Sequence, residues 1–269
     1  MSRPFKLSTQ VLALALVALC VNCKQTNSKK TAVWNKGNQN EAVLTEMEEK
    51  EGWESLFDGV TFQGWRSLGR SQVQDELWKI EAGTIRKLNS EKVPPRPDGM
   101  PIEGGDLITE ETFDNYELYF EWKVLQGGNT GLKYNVSEDM SQKYGSKYAA
   151  LGFEYQLLDD SDTLYAGKLK PSQYTGSLYD MIAPKNANVR PAGKFNSSRI
   201  VVNDKRVEHW LNGKKVVAYE FGSPRLDSLF RKSKYVDYPG FLEKRKGHIV
   251  LQNHKDDAWF RNIKIRRIK

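Results

Sequence analysis

Short runs of aromatic and β-branched residues, separated by Gly, Asn and Asp, recur along most of this chain, at residues 77–80, 116–124, 131–136, 153–158, 199–203, 206–211, 215–221, 248–252 and 260–265. Such runs read as strands, in which alternate side chains point to opposite faces. Many short strands with turn residues between them specify an all-β body, a jelly-roll sandwich of two antiparallel sheets with a few short helices in its loops. Asn212-Gly213 between two runs is a strong hairpin signal, and Asn203-Asp204 marks a second hairpin. Good helix formers at 41–51 predict one or two helical turns leading into the body, and 224–234 predicts a short helix. Loops at 92–105, 161–176 and 183–194 are long enough to wall a substrate site.

The N-terminus is organised differently. Arg3 and Lys6 precede an apolar run at 11–21, too short to span a bilayer and of the length of a signal-peptide core. Residues 1–22 therefore read as an export signal. Cys23, followed at once by polar residues, resembles the lipid-attachment cysteine of a bacterial lipoprotein, with Cys20 as the other candidate. Residues 23–50 read as a tether and lead-in helix, and 51–269 as one jelly-roll domain. This arrangement places the protein in the cell envelope, on the outer membrane or in the periplasm, meeting a membrane only through a lipid anchor.

Both cysteines lie in the first 23 residues, so the body has no disulfide, cysteine metal site or cysteine nucleophile. Of the net charge of +7, a surplus of three basic residues lies in residues 1–50, which leaves a surplus of only four on the body. The remaining basic residues are interspersed with acids, which argues against a nucleic-acid partner.

The stretch Leu-Gly-Phe-Glu-Tyr-Gln-Leu-Leu-Asp-Asp at 151–160 is the centre of the functional argument. Phe153, Tyr155 and Leu157 share one face, Glu154 and Gln156 the other, and Asp159 and Asp160 follow at the strand's end. The same alternation at 117–123 turns Glu117, Tyr119, Glu121 and Lys123 outward. In 248–254 it sets His248, Val250, Gln252 and His254 on one face. These strands are expected to bring their polar groups to one shared face, with Lys133 beside the Gly127–Gly131 turn. Arg261 falls on the phase of Ile263 and Ile265, where burial requires a partner such as Glu121 or Glu154. His209 shares its phase with Val207 and Leu211 and reads first as a satisfied core histidine. Asp159, Asp160 and Asp162 offer oxygen ligands for a divalent cation, although a solvated acidic loop is the better account of them; the sequence supports no cofactor. Aromatic rings beside carboxylates, amides and Arg suit a carbohydrate partner.

The ordered motifs Gly52-Trp53-x-Ser55-Leu56-Phe57-Asp58-Gly59, Trp78-x-Ile80-x-x-Gly83, Phe120-Glu121-Trp122-Lys123, Asn129-Thr130-Gly131, Glu154-Tyr155-Gln156-x-x-Asp159, Gly176-Ser177-Leu178-Tyr179, His209-Trp210-Leu211-Asn212-Gly213, Gly247-His248-Ile249-x-Leu251-Gln252-x-His254 and Phe260-Arg261-Asn262-Ile263 resemble the 3-keto-disaccharide hydrolase family. The resemblance runs over about residues 50–268. It implies a concanavalin-like jelly roll and exported or lipid-anchored bacterial proteins acting on glycosides oxidised at carbon 3. It places Glu154, His254 and Asp159 as candidates for the acid and base. Glu121, Asn129, Lys133, Gln156, Tyr179, Gln252 and Arg261 become candidates for substrate binding. The implied chemistry is base-assisted elimination at carbon 2 followed by hydration. Two other readings stay open at this point: conventional hydrolysis by two carboxylates, Glu121 with Glu154, and a carbohydrate-binding module without turnover.

Overall fold

The computed structural model describes residues 44–95, 104–145 and 149–269. The expected signal segment, Cys23, Cys20 and most of the expected tether lie outside the described residues, as does part of the 92–105 loop. In chain order the described part begins with helix α1 (Glu46–Lys50) and strands β1 (Trp53–Ser55), β2 (Trp65–Ser67), β3 (Trp78–Glu81), β4 (Thr84–Lys87), β5 (Leu107–Thr109), β6 (Tyr116–Val124) and β7 (Asn129–Val136). Helix α2 (Glu138–Tyr144) and strands β8 (Phe153–Leu158), β9 (Asn196–Asn203), β10 (Arg206–Leu211) and β11 (Lys214–Glu220) follow. Helix α3 (Pro224–Phe230), β12 (His248–Leu251) and β13 (Ala258–Arg267) complete it.

Two antiparallel sheets form. The larger runs β11-β10-β9-β6-β13-β4-β3 with β1 also paired to β13, and the smaller runs β2-β5-β12-β7-β8. Their inner faces supply one shared core, in which Leu118, Phe120 and Trp122 of β6 meet Leu132 and Tyr134 of β7 and Phe153, Tyr155 and Leu157 of β8. Phe120 and Tyr155 meet edge to face across the two sheets, with ring centroids 5.7 Å apart. The alternation read from the sequence thus assigns these inner faces correctly, because burial of each such ring contributes about 2–3 kcal/mol and fixes strand phase.

Asn212 and Gly213 both have positive φ, 46° and 79°, and close the β10–β11 hairpin as a two-residue turn. The β9–β10 turn falls one residue later than expected, at Asp204-Lys205, since Asn203 pairs with Arg206. His209 is wholly buried. Its Nδ1–H donates to Gly176 O at 3.0 Å, which leaves Nε2 to accept from Tyr134 Oη at 2.7 Å. Burial lowers its pKa to about 4, so it is a neutral core histidine.

Arg261 departs from expectation. The β6–β13 register shifts between Arg261 and Lys264, and Asn262 takes φ +50°. This bulge adds a residue, so Phe260 and Ile263 both point into the core while Arg261 turns away from it.

Candidate functional site

Strand β8 is buried along its whole length, although it ends the smaller sheet. Its free edge is covered by the segment after the 161–176 loop: Gly176 N–H donates to Gln156 O at 2.9 Å and Tyr179 N–H to Glu154 O at 3.0 Å. Asp180, at φ +60°, fastens that cover. Its carboxylate accepts from Lys170 Nζ at 3.2 Å and from Lys234 N–H at 2.8 Å, joining the 161–182 segment to the chain beyond α3.

Under this cover lies the face of β8 and β7 turned away from the core. Glu154 is 4% exposed, and its backbone pairs with Lys133. Its carboxylate lies over Gly131, where a Cβ would stand 2.6 Å from Oε1. Tyr235 Oη donates to Glu154 Oε2 at 3.3 Å. The Lys234 ammonium stands 4.3 Å from the centroid of the Tyr179 ring. Burial lowers the pKa of Lys234, and Glu154 offsets part of that. Tyr179 and Tyr235 are raised by burial, with the Glu154 charge adding to it.

Lys133 is nearly enclosed, its ammonium donating to Asp106 Oδ2 at 3.3 Å and to Ala150 O at 2.9 Å. Asp106 also accepts from Asn253 N–H at 2.7 Å, which ties the start of the 252–257 segment to the same spot. Gln156 Nε2 donates to Asn129 Oδ1 at 2.9 Å, while Gln156 Oε1 is buried without a hydrogen-bond partner, an acceptor left for a ligand hydroxyl. Asn129 N–H donates to Asp256 Oδ2 at 3.2 Å, and His254 Nδ1 lies 3.8 Å from that oxygen. Burial holds His254 below the ordinary imidazole range; Lys87, Lys255 and Lys133 push the same way and Asp256 opposes them. Gln252 N–H donates to Gly131 O at 2.9 Å, setting this residue beside the same strand.

Glu154, Lys133, Gln156, Asn129, Tyr179, Gln252 and His254 are therefore gathered at one end of the smaller sheet. The rest of that face is apolar, built from Leu68, Ile108, Val136, Ala150 and Val250. Position 250 packs there instead of facing a ligand, and His248 Nδ1–H donates to Thr109 O at 2.7 Å.

Three candidates stand elsewhere or are otherwise engaged. Glu121 and Arg261 belong to the larger sheet, on the face turned away from the core, and pair with each other at 2.8 Å, with Arg261 stacked 4.0 Å from the Phe195 ring centroid. The whole core separates Glu121 from Glu154, so the two cannot flank one glycosidic bond, and the strand 117–123 does not share the face of β8. Asp159 holds its own loop: its carboxylate accepts from Gly127 N–H at 3.1 Å and from Ser161 Oγ at 2.7 Å. Asp160 accepts from Thr175 Oγ1 at 2.8 Å and Asp162 from Leu164 N–H at 2.8 Å. Among the described residues no three His, Cys, Asp or Glu side chains converge as a metal site.

The sequence reading passed over Lys87, Asp106, Lys234, Tyr235 and Asp256. Lys87 ends a strand too short to show alternation, and the others lie in loops or at strand ends, where no period marks a face.

Residues 52–266 match the 3-keto-alpha-glucoside-1,2-lyase-like domain. The chain belongs to this family. The 3-keto-disaccharide hydrolase of Bacteroides thetaiotaomicron is 35% identical, over 80% of this chain and 78% of that protein. A solved structure from Parabacteroides distasonis, provisionally called a glycosyl hydrolase, superposes with a TM-score of 0.72 at 30% identity, covering 85% of this chain and 99% of that one. A second from the same organism, with a TM-score of 0.59 and 22% identity over 80% of this chain and 99% of its own, shares the fold. Within the 3-keto-alpha-glucoside-1,2-lyase-like family, then, this chain keeps the two-sheet body and carries its enclosed polar cluster on the smaller sheet.

Proposed function

We propose that this protein is an exported glycoside-cleaving enzyme, acting on glycosides oxidised at carbon 3 of the sugar by elimination across carbons 1 and 2 followed by hydration. The observation that carries this reading is Glu154: an enclosed carboxylate seated over a glycine, touched by one phenol, with the ammonium groups of Lys133 and Lys234 on the same side. The family membership and the name of the Bacteroides relative support the substrate class.

A ketone at carbon 3 acidifies the hydrogen on carbon 2. Glu154 takes that proton, and the electron pair moves into an enolate whose charge rests on the carbon 3 oxygen. The enolate collapses, a double bond forms between carbons 1 and 2, and the oxygen on carbon 1 leaves with a proton. Water then adds at carbon 1, and Glu154, its proton exchanged with solvent once the leaving group has departed, protonates carbon 2. Lys234, and behind it Lys133, face the developing oxyanion. His254 accepts a proton from the incoming water and passes it to the leaving oxygen, so that hydroxide is what adds at carbon 1. Gln156, Asn129 and Gln252 bind hydroxyl groups, and the Tyr179 ring offers a stacking surface. The apolar run at 11–21 and Cys23 support export to the cell envelope with a lipid anchor.

The test incubates the protein lacking its first 23 residues with a 3-keto glucoside, with its unoxidised parent, and with the keto compound deuterated at carbon 2. Elimination predicts release of the leaving group from the keto compound alone, a primary isotope effect, and loss of label to solvent. Glu154→Gln abolishes the release while substrate binding persists. Equal cleavage of the parent, or release with the label retained, overturns elimination. Binding of both sugars without release makes the protein a binding module.

A further inference from the structure

The Lys87 side chain is 0% exposed, and its ammonium is buried without a hydrogen-bond partner. An enclosed unpaired cation is costly, and its persistence calls for compensation from charges nearby. Lys87 ends β4, where it pairs with Ala258 at the start of β13, and Ser90 N–H then donates to Lys255 O at 2.9 Å. The end of β4 is thereby laced to the segment that carries His254. The acidic groups within electrostatic reach of Lys87 are Asp256, Asp257 and Asp106, and burial outweighs them, lowering its pKa to about 8.

The same segment holds a second unsatisfied group. His254 Nδ1 is buried without a hydrogen-bond partner, although the side chain as a whole is 38% exposed. Nδ1 is thus turned inward, and Nε2 is the nitrogen left for a ligand. The charged groups facing this imidazole are Asp256 and Lys255 on its own segment, Lys133 from β7 and Lys87 from β4. Lys255 shares its charge with Glu91 at 3.6 Å, and Lys133 with Asp106 at 3.3 Å. Asp256 Oδ2 accepts from Asn129 N–H as well as lying near His254. Of the three lysines, Lys87 alone keeps its ammonium buried without a hydrogen bond or an ion pair to a carboxylate.

We propose that Lys87 is a positioning residue whose enclosed charge, lacking a hydrogen-bond partner, adds to burial in keeping His254 neutral, so that the imidazole accepts a proton from water at the leaving-group end of the site. This rests on the placement of His254 in the proposed site, and it names a charge device that acts through His254 without touching substrate. Lys87 is charged throughout the range in which His254 titrates, so its influence is constant there.

The test is a proton-carbon NMR titration of the histidine Cε1–H groups, which needs no turnover and so stands or falls separately from the elimination reading. The chain has three histidines, and His209 does not titrate above about pH 4, so His254→Gln assigns the remaining pair. Lys87→Met removes the charge with little change of shape. It is expected to move the His254 midpoint up, and Lys87→Arg to leave it in place. In active enzyme the acid limb of kcat/KM moves up with it. An unchanged midpoint in folded Lys87→Met overturns the proposal. If that variant gives no dispersed spectrum, the unsubstituted protein decides: the His254 resonance must show a second inflection on the alkaline side of its own midpoint, where Lys87 loses its proton, and its absence overturns the proposal equally.

Discussion

The carboxylate of Glu154 occupies the space that a side chain on Gly131 would fill, with Oε1 2.6 Å and Cγ 2.9 Å from the position of a Cβ there. Gly131 has no unusual backbone conformation, so Ala is tolerated by the strand and the strain falls on the Glu154 side chain. Gly131→Ala is expected to lower kcat by about 100-fold through misplacement of the base. The thermal midpoint should stay within about 3 °C of the parent. Steady-state kinetics beside a thermal melt check this; full activity in the variant means that Glu154 is not held by this contact.

Tyr235 Oη donates to Glu154 Oε2, and its ring stacks 4.4 Å from that of Phe241. Tyr235→Phe keeps the stack and removes the donor. A fall of roughly tenfold in kcat with KM little changed is expected, because the phenol orients the base and does not bind substrate. A rise in KM alone assigns the hydroxyl to substrate binding instead.

The Glu121–Arg261 pair is partly exposed on the face of the larger sheet turned away from the core. Removing it with Glu121→Gln and Arg261→Met together should cost about 1 kcal/mol of stability or less. Turnover of the keto glycoside should stay within about twofold. A large loss of turnover in a folded double variant contradicts the separation of this pair from the site.

Acid stability should depend on His209. Burial lowers its folded pKa to about 4, against about 6.5 when unfolded. The unfolded chain therefore binds the extra proton between those values. The contribution of a neutral His209 is complete above about pH 6.5 and is lost as pH falls towards 4, by about 3 kcal/mol in all. Denaturant unfolding at a series of pH values checks this, and His209→Gln should flatten the slope in that window.

The candidate site was legible where regular alternation continues through a strand. Glu154 and Gln156 follow the period of β8, and Lys133 lies opposite Glu154 because two antiparallel neighbours in register share a face. The same reasoning failed for Glu121. It is outward on β6 as expected, but two packed sheets have two outer faces, and alternation within one strand does not say which sheet the strand joins. Arg261 was misread because a bulge inserts a residue and reverses the phase beyond it. Lys87, Lys234 and Tyr235 gave no periodic signal at all.

What the sequence determined by itself is the all-β body and the side of each regular strand that is buried, because apolar burial acts residue by residue with the two-residue period of the strand. The order of strands in the two sheets, and therefore which polar groups meet, was decided by tertiary structure. Lys87 reaches its place beside Asp106 and Asp256 only because β13 returns to pair with β4. Lys234 faces Glu154 only because Asp180 fastens one loop to another. Such contacts join residues far apart in the chain, and their energies depend on packing and enclosure that no local pattern encodes.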